Sequence, residues 1–141
     1  TYLSKHMLIF REPGKTAIEP GMRVAYDRDS MDHQHLTEAM VRGVPDVVLT
    51  DMKAHQTIKA IRSGQVDAGI WILDSILESG DQDLNMIPIP LTTETAKFSS
   101  AAFVVEKNNQ EIAQLLRQAI RPETVRQIQQ AVRDGQMDAD Y

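Results

Sequence analysis

Residues 58–72 read IKAIRSGQVDAGIWI, in which an amphipathic helix passes almost directly into a buried strand. Two isoleucines share one face of the helix, and Arg62 lies in its last turn, where the helix dipole favours a cation. Gly64 follows where a helix that ends in the left-handed region requires glycine. Apolar residues then recur at every second position up to Ile72, which is the period of a strand. A helix that turns into a strand, after earlier strands, predicts an α/β layer.

Length and composition describe one globular domain. The 141 residues are 42% apolar and 25% charged, which is enough to bury a core. A formal charge of −5 and the absence of cysteine disfavour a nucleic-acid surface and a zinc ribbon. No apolar run reaches the roughly 20 residues that cross a bilayer, so we expect no membrane contact. The chain starts at Thr1 rather than methionine, and we interpret it as a piece of a longer protein.

Further strands and helices are predicted on both sides of this stretch. The predicted strands are Tyr2–Phe10, Met22–Asp27, Val47–Thr50, Val66–Ile72, Asn85–Leu91 and Ser99–Glu106. Val47–Thr50 is predicted to be buried, whereas two prolines confine Asn85–Leu91 to an edge of the sheet. Helices are predicted at Met31–Gly43, around Ile58–Ile61 and at Ser75–Glu78.

Two further helices are predicted to close the chain. Asn108 and Glu111 form a start that resembles a capping box, and Pro122 is well placed as the first residue of the second helix. The apolar stripe of this pair comprises Ile112, Leu115, Leu116, Ile120, Val125, Ile128 and Val132. Because nothing nearby in the sequence covers the stripe, we expect the chain to form a homo-oligomer.

Three segments carry a resemblance to a known family: VAYDRDSMD at 24–32, SGQVDAGIW at 63–71 and GQMDADY at 135–141. They resemble the C-terminal domain of YhfZ-type, GntR-like transcriptional regulators, in which a winged helix precedes a periplasmic-binding-like effector domain. The resemblance implies one lobe of a type 2 periplasmic-binding-protein-like domain with a C-terminal helical pair.

The resemblance also implies how the single domain, residues 1–141, is organised. Residues 1–12 and 99–107 would be crossover strands between lobes, 20–92 the lobe itself and 108–135 the C-terminal helices. The winged helix and most of the first lobe are absent from this sequence. DNA would therefore be bound only through a missing N-terminal winged-helix domain.

Ligands of α/β sheets bind beyond the carboxyl ends of the strands. The residues that follow the predicted strands are therefore candidates for a ligand site. Ser30 is predicted to cap the first helix by accepting a hydrogen bond from the N–H of His33. The same helix start, with its free N–H groups, could instead hold an anionic group of a ligand, as the resemblance implies. Asp32 already supplies negative charge at this position.

Trp71 and Asp74 lie at the end of a central strand, where Trp71 could stack on a ligand and Asp74 could accept from its amine or hydroxyl. The alternative places Trp71 in the core and makes Asp74 the cap of the short helix that follows. Thr50 and His55 flank another strand-to-helix turn. They too could either contact a ligand or have a purely structural role. The predicted ligand-binding residues are Ser30, Asp32, Thr50, Trp71 and Asp74.

A metal site is not predicted. On a helix His33 and His35 point apart, so that only Asp32 and His35 could converge, and two ligands do not make a zinc site. The same segment fails the calcium-loop pattern because Asp32 stands where a turn glycine is required. A solvated helix start is the preferred interpretation.

A phosphatase is the alternative from another class of function. Asp27-Arg28-Asp29 resembles the opening motif of haloacid-dehalogenase-type enzymes, which use an Asp nucleophile and Mg²⁺. Asp81 and Asp83 would be the later acidic pair, but the preceding residues predict a helix and a turn rather than a buried strand. We therefore expect no enzyme activity, no catalytic residue and no cofactor.

The sequence thus favours a cytoplasmic, small-molecule-sensing effector domain of a bacterial transcriptional regulator, which acts by ligand binding and lobe closure. The alternative within the same fold is the solute-binding component of a transport system.

Overall fold

A five-stranded mixed sheet organises the larger of two compact units, residues 4–99; residues 1–3 and 100–141 form the other. The computed structural model describes residues 2–3, 5–98, 100–101 and 105–136. The strands are β1 Tyr2–Leu3, β2 His6–Phe10, β3 Arg23–Tyr26, β4 Val48–Asp51, β5 Ala68–Ile72, β6 Asn85–Pro88 and β7 Ser100–Ala101. The helices are α1 Met31–Val41, α2 Thr57–Ser63, α3 Leu73–Ser79, α4 Gln110–Ala119 and α5 Pro122–Arg133, with short 3₁₀ turns at Ala54–Gln56 and Thr95–Phe98.

The sheet has the order β4-β3-β5-β2-β6, which confirms the α/β prediction and places β5 at its centre. Strands β4 and β5 run parallel to β3, whereas β2 is antiparallel to β5 and to β6. Parallel strands end at the same side of a sheet, and antiparallel β2 begins there, since His6 pairs with Ile72. We call this side the carboxyl edge, and the side where β3, β4 and β5 begin the opposite edge.

Helices cover both faces of the sheet. Helix α1 contributes Leu36 to a core on one face, and α2 and α3 contribute Ile61 and Ile76 to a core on the other. All three side chains are fully buried. Strand β5 is therefore enclosed on both sides, as expected for a strand flanked by helices in an α/β protein.

The junction between α2 and β5 forms as the sequence predicts. Gly64 has φ +76°, and its N–H donates to the carbonyls of Ala60 and Ile61 in the last turn. Only glycine adopts this left-handed conformation without strain, so the helix ends here and the chain turns back toward the sheet.

The prediction of a buried strand at Val47–Thr50 is wrong. β4 is an edge strand, and the Val48 and Leu49 side chains are 53% and 42% exposed. An apolar run fits a central strand or an edge strand equally well, because composition does not reveal the number of neighbouring strands. The edge position predicted for the proline-containing strand is confirmed, since β6 closes the sheet on its other side.

In the smaller unit β1 and β7 pair in antiparallel fashion, and two helices follow. The N-cap of α4 is Asn109, not Asn108, because the Asn109 side chain accepts a hydrogen bond from the Ile112 N–H at 3.2 Å. Pro122 opens α5 as predicted. Of the predicted strand Ser99–Glu106, only β7 is a strand among the described residues, and positions 99 and 102–104 lie outside them.

No helix in the described ranges has the length and apolar character needed to cross a bilayer.

Arg23 and Asp67 tie the start of β3 to the loop before β5, and this pair predicts a pH dependence. Asp67 accepts from the Arg23 backbone N–H at 2.8 Å, from Nε at 3.0 Å and from Nη2 at 2.8 Å. The side-chain hydrogen bonds from Arg23 hold the pKa of Asp67 below its usual range. Asp67 therefore stabilises the folded state above its unfolded pKa of about 3.9, and this contribution is lost as the pH falls through the folded-state pKa.

The expected result is that Asp67→Asn lowers the free energy of unfolding at neutral pH and has a progressively smaller effect as the pH falls through the folded-state pKa of Asp67. Urea denaturation at several pH values measures this difference. The exposed Glu78→Gln variant is the matched control. An effect of Asp67→Asn that stays constant from neutral to acid pH would contradict the proposed ion pair.

Candidate ligand-binding site

Polar side chains gather at the carboxyl edge, and several of them lie in the connections that follow β3, β4 and β5. The segment 27–30 leads from β3 to α1, residues 52–53 lead from β4 to the first 3₁₀ turn, and α3 follows β5 without a loop. His6 joins them from the first position of β2. Strand β6 also ends here, since Pro88 pairs with Met7, so the described residues at this edge come from five strands that are distant in sequence.

Asp27 is buried and holds two of these connections together. Its Oδ1 accepts from the Asp29 N–H at 3.1 Å, and its Oδ2 accepts from the Ala54 N–H at 2.8 Å. Burial raises the pKa of the Asp27 carboxyl, but the two backbone N–H groups outweigh this effect and the pKa lies below its usual value. Asp27 is an ionised structural residue whose two oxygens each accept a backbone hydrogen bond.

Cations at the rim of this edge are paired with carboxylates. Lys53 forms an ion pair with Asp29, and the Nε of Arg28 lies 3.0 Å from Asp51 Oδ2. All four side chains are exposed, so each pair contributes little to stability. Each pair places one positive and one negative charge side by side at the carboxyl edge.

Ser30 begins α1, but the predicted cap is wrong. Its backbone is extended, as an N-cap requires, yet its hydroxyl makes no capping hydrogen bond. The hydroxyl donates to Asp32 Oδ1 at 2.6 Å and lies 3.0 Å from His33 Nδ1. The Asp32 carboxylate, rather than the Ser30 hydroxyl, takes the backbone hydrogen bond from His33.

His33 links the residues of the edge into one cluster. Its ring centroid lies 5.4 Å from that of His6 in a T-shaped arrangement and 5.5 Å from that of Trp71 at a tilt of 34°. Asp32 reaches both imidazoles, since Oδ2 lies 3.6 Å from His6 Nε2 and Oδ1 lies 3.4 Å from His33 Nδ1. We call Ser30, Asp32, His33, His6 and Trp71 the edge cluster.

Charge and exposure are distributed unevenly in the edge cluster. The His6 and His33 side chains are 2% and 8% exposed, whereas that of Asp32 is 40% exposed. Burial raises the pKa of the Asp32 carboxyl, but the Ser30 hydroxyl and neighbouring His33 bring it below its usual range. The cluster therefore presents an ionised carboxylate to solvent in front of buried aromatic rings.

Sequence reasoning placed three members of the edge cluster and missed two. Ser30, Asp32 and Trp71 are joined through His33, which the sequence had assigned to a solvated helix start. That assignment is wrong, because His33 is buried. Asp32 and His35 are the pair that the helix spacing could have brought together, but His35 is exposed and its Nδ1 lies 2.6 Å from the Met31 carbonyl.

His6 was not predicted because its place depends on strand register. It belongs to a strand that the sequence did predict, but only the pairing of His6 with Ile72 carries it beside the start of α1. No local pattern reports such a pairing. An isolated histidine at the start of an apolar strand was the single available signal.

Thr50 and Asp74 lie in elements at the carboxyl edge but are not members of the edge cluster. Thr50 pairs with Ala25 inside β4, one residue before that strand ends. Asp74 lies in the first turn of α3, and the N-cap position belongs to Ile72, so the predicted capping role of Asp74 is wrong. Helix α3 begins directly from β5, which leaves no loop residue to act as a cap.

The acidic pair required by the phosphatase alternative lies elsewhere. Arg62 Nη2 contacts Asp81 Oδ1 at 2.6 Å and Asp83 Oδ1 at 2.7 Å. This group precedes β6, whose first residue pairs with the last residue of β2, at the opposite edge of the sheet from Asp27. The carboxylates that such chemistry would combine are therefore separated by the length of the strands.

A cavity of about 500 Å³ also opens at the opposite edge, lined in part by Arg11, Lys15, Met22 and Asp67. Basic and acidic side chains alternate around it. Ligands of α/β sheets bind at the carboxyl ends of the strands rather than at this end. The edge cluster is therefore the preferred candidate site.

Comparison with known proteins identifies relatives of the whole chain. Residues 1–141 match the family model described as the YhfZ C-terminal domain. The chain is 27% identical over 143 residues to the uncharacterized protein YhfZ of Escherichia coli strain K12, covering 100% of this chain and 46% of that protein. The crystal structure of YhfZ from Shigella flexneri matches with a TM-score of 0.59 at 25% identity, covering 100% of this chain and 59% of that chain.

Two structures of an ancestral arginine-binding protein share the fold. The form bound to arginine matches with a TM-score of 0.52 at 15% identity and covers 96% of this chain and 57% of that chain. The form bound to glutamine matches with a TM-score of 0.50 at 16% identity and covers 96% of this chain and 56% of that chain. These matches support a lobe of the periplasmic-binding-protein type.

The chain spans less than half the length of its curated relative, 46%, and 59% of the chain in the YhfZ crystal structure. The family model, by contrast, matches every residue from the first to the last. The predicted family is thereby confirmed, and the chain belongs to the YhfZ C-terminal domain family.

Proposed function

We propose that this chain is the small-molecule-sensing effector domain of a cytoplasmic bacterial transcriptional regulator. Ser30, Asp32, Thr50, Trp71 and Asp74 would contact the ligand. The observation that carries the proposal is the edge cluster: an ionised carboxylate, a hydroxyl and an indole meet where β3 and β5 end. Sites for small molecules combine a few convergent polar groups with apolar and aromatic surface in this way.

Amino acids are the first ligand class to test. The ancestral arginine-binding proteins that share the fold hold arginine and glutamine. An ammonium group would pair with the carboxylates of Asp32 and Asp74, and a carboxylate would bind the N–H groups at the start of α1. The ammonium of an amino acid would pair with the carboxylates of this edge, and its carboxylate would interact favourably with the positive end of the α1 dipole.

The mechanism would be binding without chemistry. A ligand that contacts both lobes favours the closed form only to the extent that it binds that form more tightly. This shift would alter a DNA-binding module attached to the domain in the longer protein. The chain has a formal charge of −5, and we therefore propose that it does not bind DNA by itself.

Ligand binding is tested by the thermal stability of the purified chain with L-arginine, L-glutamine and the other amino acids in turn. A ligand at 100 times its dissociation constant adds about 2.7 kcal/mol to the free energy of unfolding. Trp71 is the single tryptophan of the chain, so its fluorescence reports binding at the edge cluster independently.

We expect at least one amino acid to stabilise the chain and to change Trp71 fluorescence, and we expect Asp32→Asn to abolish both effects. Glu12→Gln is the matched control, because Glu12 is exposed and lines the cavity at the opposite edge. Binding that survives Asp32→Asn but not Glu12→Gln would contradict the proposed site. Hydrolysis of an aryl phosphate that depends on Asp27 would contradict the non-enzymatic function.

A solute-binding component of a transport system is the second candidate, since the arginine-binding proteins share this fold. Both candidates bind a small molecule at the same edge, and they differ in what the longer protein does. Fluorescence anisotropy of promoter DNA with the longer protein distinguishes them. A ligand-dependent change in DNA affinity supports the regulator, and the absence of DNA binding supports the transport protein.

We also propose that the chain self-associates through α4 and α5. The side chains of Ile112, Leu115 and Ile128 are 45%, 57% and 41% exposed. Contact between these helices in two copies would remove this apolar surface from water, at about 25 cal/mol per Å² buried.

The expected result is a dimer or larger species at micromolar concentration in sedimentation velocity, and Leu115→Glu should shift it toward monomer. Gln118→Glu introduces the same charge on α4 at an exposed polar position and should leave the distribution unchanged. A native chain that sediments as a monomer throughout the concentration range would contradict this proposal.

A further inference from the structure

The edge cluster contains a set of donors that suits a transition-metal ion. One ligand atom of each of His6, Asp32 and His33 lies within 4.8 Å of the other two. Both imidazoles are more than nine-tenths buried, and the carboxylate is the member that reaches solvent. Among the described residues this is the group of histidines and carboxylates that comes together in this way.

The separation between the His6 and Asp32 donors is close to that of tetrahedral coordination. Two ligands bonded to one zinc ion at about 2.0–2.1 Å lie about 3.3–3.4 Å apart at the tetrahedral angle. Asp32 Oδ2 lies 3.6 Å from His6 Nε2. His33 would bind the ion through Nε2, because its Nδ1 lies 3.0 Å from the Ser30 hydroxyl. Side-chain rotations would have to bring the three donors to one ion.

An independent observation points to a bound group at the same place. Within the described part of the chain, His33 Nε2 is buried and makes no hydrogen bond. A buried polar atom without a partner costs free energy, and it calls for an explanation such as a bound ion or water. Packing of the ring between His6 and Trp71 does not supply a polar partner, because these contacts are between ring faces and edges.

We propose that His6, Asp32 and His33 bind a divalent transition-metal ion of the Zn²⁺ class. Two imidazoles and one carboxylate suit Zn²⁺, Co²⁺ or Ni²⁺, whereas Mg²⁺ and Ca²⁺ prefer oxygen ligands. Three protein ligands leave a fourth position for water or a bound molecule, as in open zinc sites. Ser30, which donates to Asp32 Oδ1, would act as a positioning residue that orients the carboxylate.

No metal site was predicted from the sequence, because only the residues of the first helix were compared as ligands. On α1 only two of the four histidines of the chain are present, and of these His33 is buried whereas His35 is exposed. The third ligand comes from β2, through the register that pairs His6 with Ile72. The proposal concerns the ion by itself and does not depend on the small-molecule function.

Co²⁺ is the probe for this site, because tetrahedral Co²⁺ has strong visible absorption bands that octahedral aqueous Co²⁺ lacks. The chain, prepared without a histidine tag and treated with a chelator, is titrated with Co²⁺ and then with Zn²⁺. We expect one equivalent of Co²⁺ per chain to develop tetrahedral bands, and Zn²⁺ to displace it.

Three variants locate the site. Asp32→Asn and His33→Gln should each weaken Co²⁺ binding by about tenfold or more and remove the tetrahedral bands. Asp32→Asn is the variant least able to disturb folding, since its side chain is 40% exposed. His55→Gln, at an exposed histidine in the first 3₁₀ turn, is the matched control and should bind as the native chain does.

Two outcomes would overturn the proposal. One is a native chain that develops no tetrahedral bands and takes up no Zn²⁺ at micromolar concentration. The other is binding that both Asp32→Asn and His33→Gln retain in full while their circular dichroism matches that of the native chain.

Discussion

Ile61→Ala is expected to lower the free energy of unfolding by about 2–5 kcal/mol, the largest effect of any substitution considered for this chain. Ile61 is 0% exposed and lies in the core that α2 and α3 form against the sheet. Removing its side chain deletes buried apolar surface and leaves a cavity that the packed neighbours, including Ile76, fill only in part.

Urea denaturation of the native and variant chains measures the loss. Ile58→Ala is the matched control, because Ile58 lies on the same helix and is only partly buried. We expect its loss to be clearly smaller than that at Ile61. A loss at Ile58 that equals or exceeds the loss at Ile61 would contradict the packing of α2 against the sheet.

Gly69→Ala is expected to lower the free energy of unfolding by about 1–3 kcal/mol through overpacking. A Cβ atom at Gly69 would lie 2.4 Å from Thr57 Cγ2 and 3.0 Å from Ala25 Cβ. Both neighbours are buried, so neither can move freely. Glycine at this position of β5 therefore permits the close approach of α2 to the sheet.

A double-mutant cycle tests this explanation. Thr57→Ser removes the methyl group that the new Cβ would meet first, so we expect the double variant to recover part of the loss. Thermal unfolding of the four chains gives the coupling. Losses that simply add would show that the contact between Thr57 and residue 69 is not the cause.

The sequence predicted the parts of the fold that depend on local patterns. The alternating residues of β5, the glycine that ends α2 and the proline that opens α5 each impose a backbone conformation through their own chemistry. The prolines around β6 likewise exclude it from the centre of a sheet. Such features are readable because neighbouring residues in sequence determine them.

The errors occurred where distant residues decide the outcome. The exposure of Val48 and Leu49 depends on β4 having one neighbouring strand rather than two. His33 lies in α1, and its ring packs against His6 of β2 and Trp71 of β5, which are distant in sequence. The capping role predicted for Ser30 fails because the Asp32 carboxylate takes the backbone hydrogen bond from His33, which the sequence spacing does not reveal.

The candidate site was therefore predicted only in outline. The predicted strand order placed Ser30, Asp32 and Trp71 after or near the ends of parallel strands, which finish at one edge of the sheet. It could not give the antiparallel register that adds His6. The most informative chemistry of the edge cluster, two buried imidazoles beside a carboxylate, becomes visible only once that register is known.

The central claim is that a small molecule binds at the carboxyl edge, and amide chemical-shift mapping by nuclear magnetic resonance tests it most directly. The chain, labelled with nitrogen-15, is titrated with the amino acid that stabilises it most. We predict that the largest shifts fall on Ser30–His33, Trp71 and Asp74, together with the Trp71 indole N–H. Shifts concentrated on Arg11, Lys15 and Asp67 around the cavity at the opposite edge would contradict the claim.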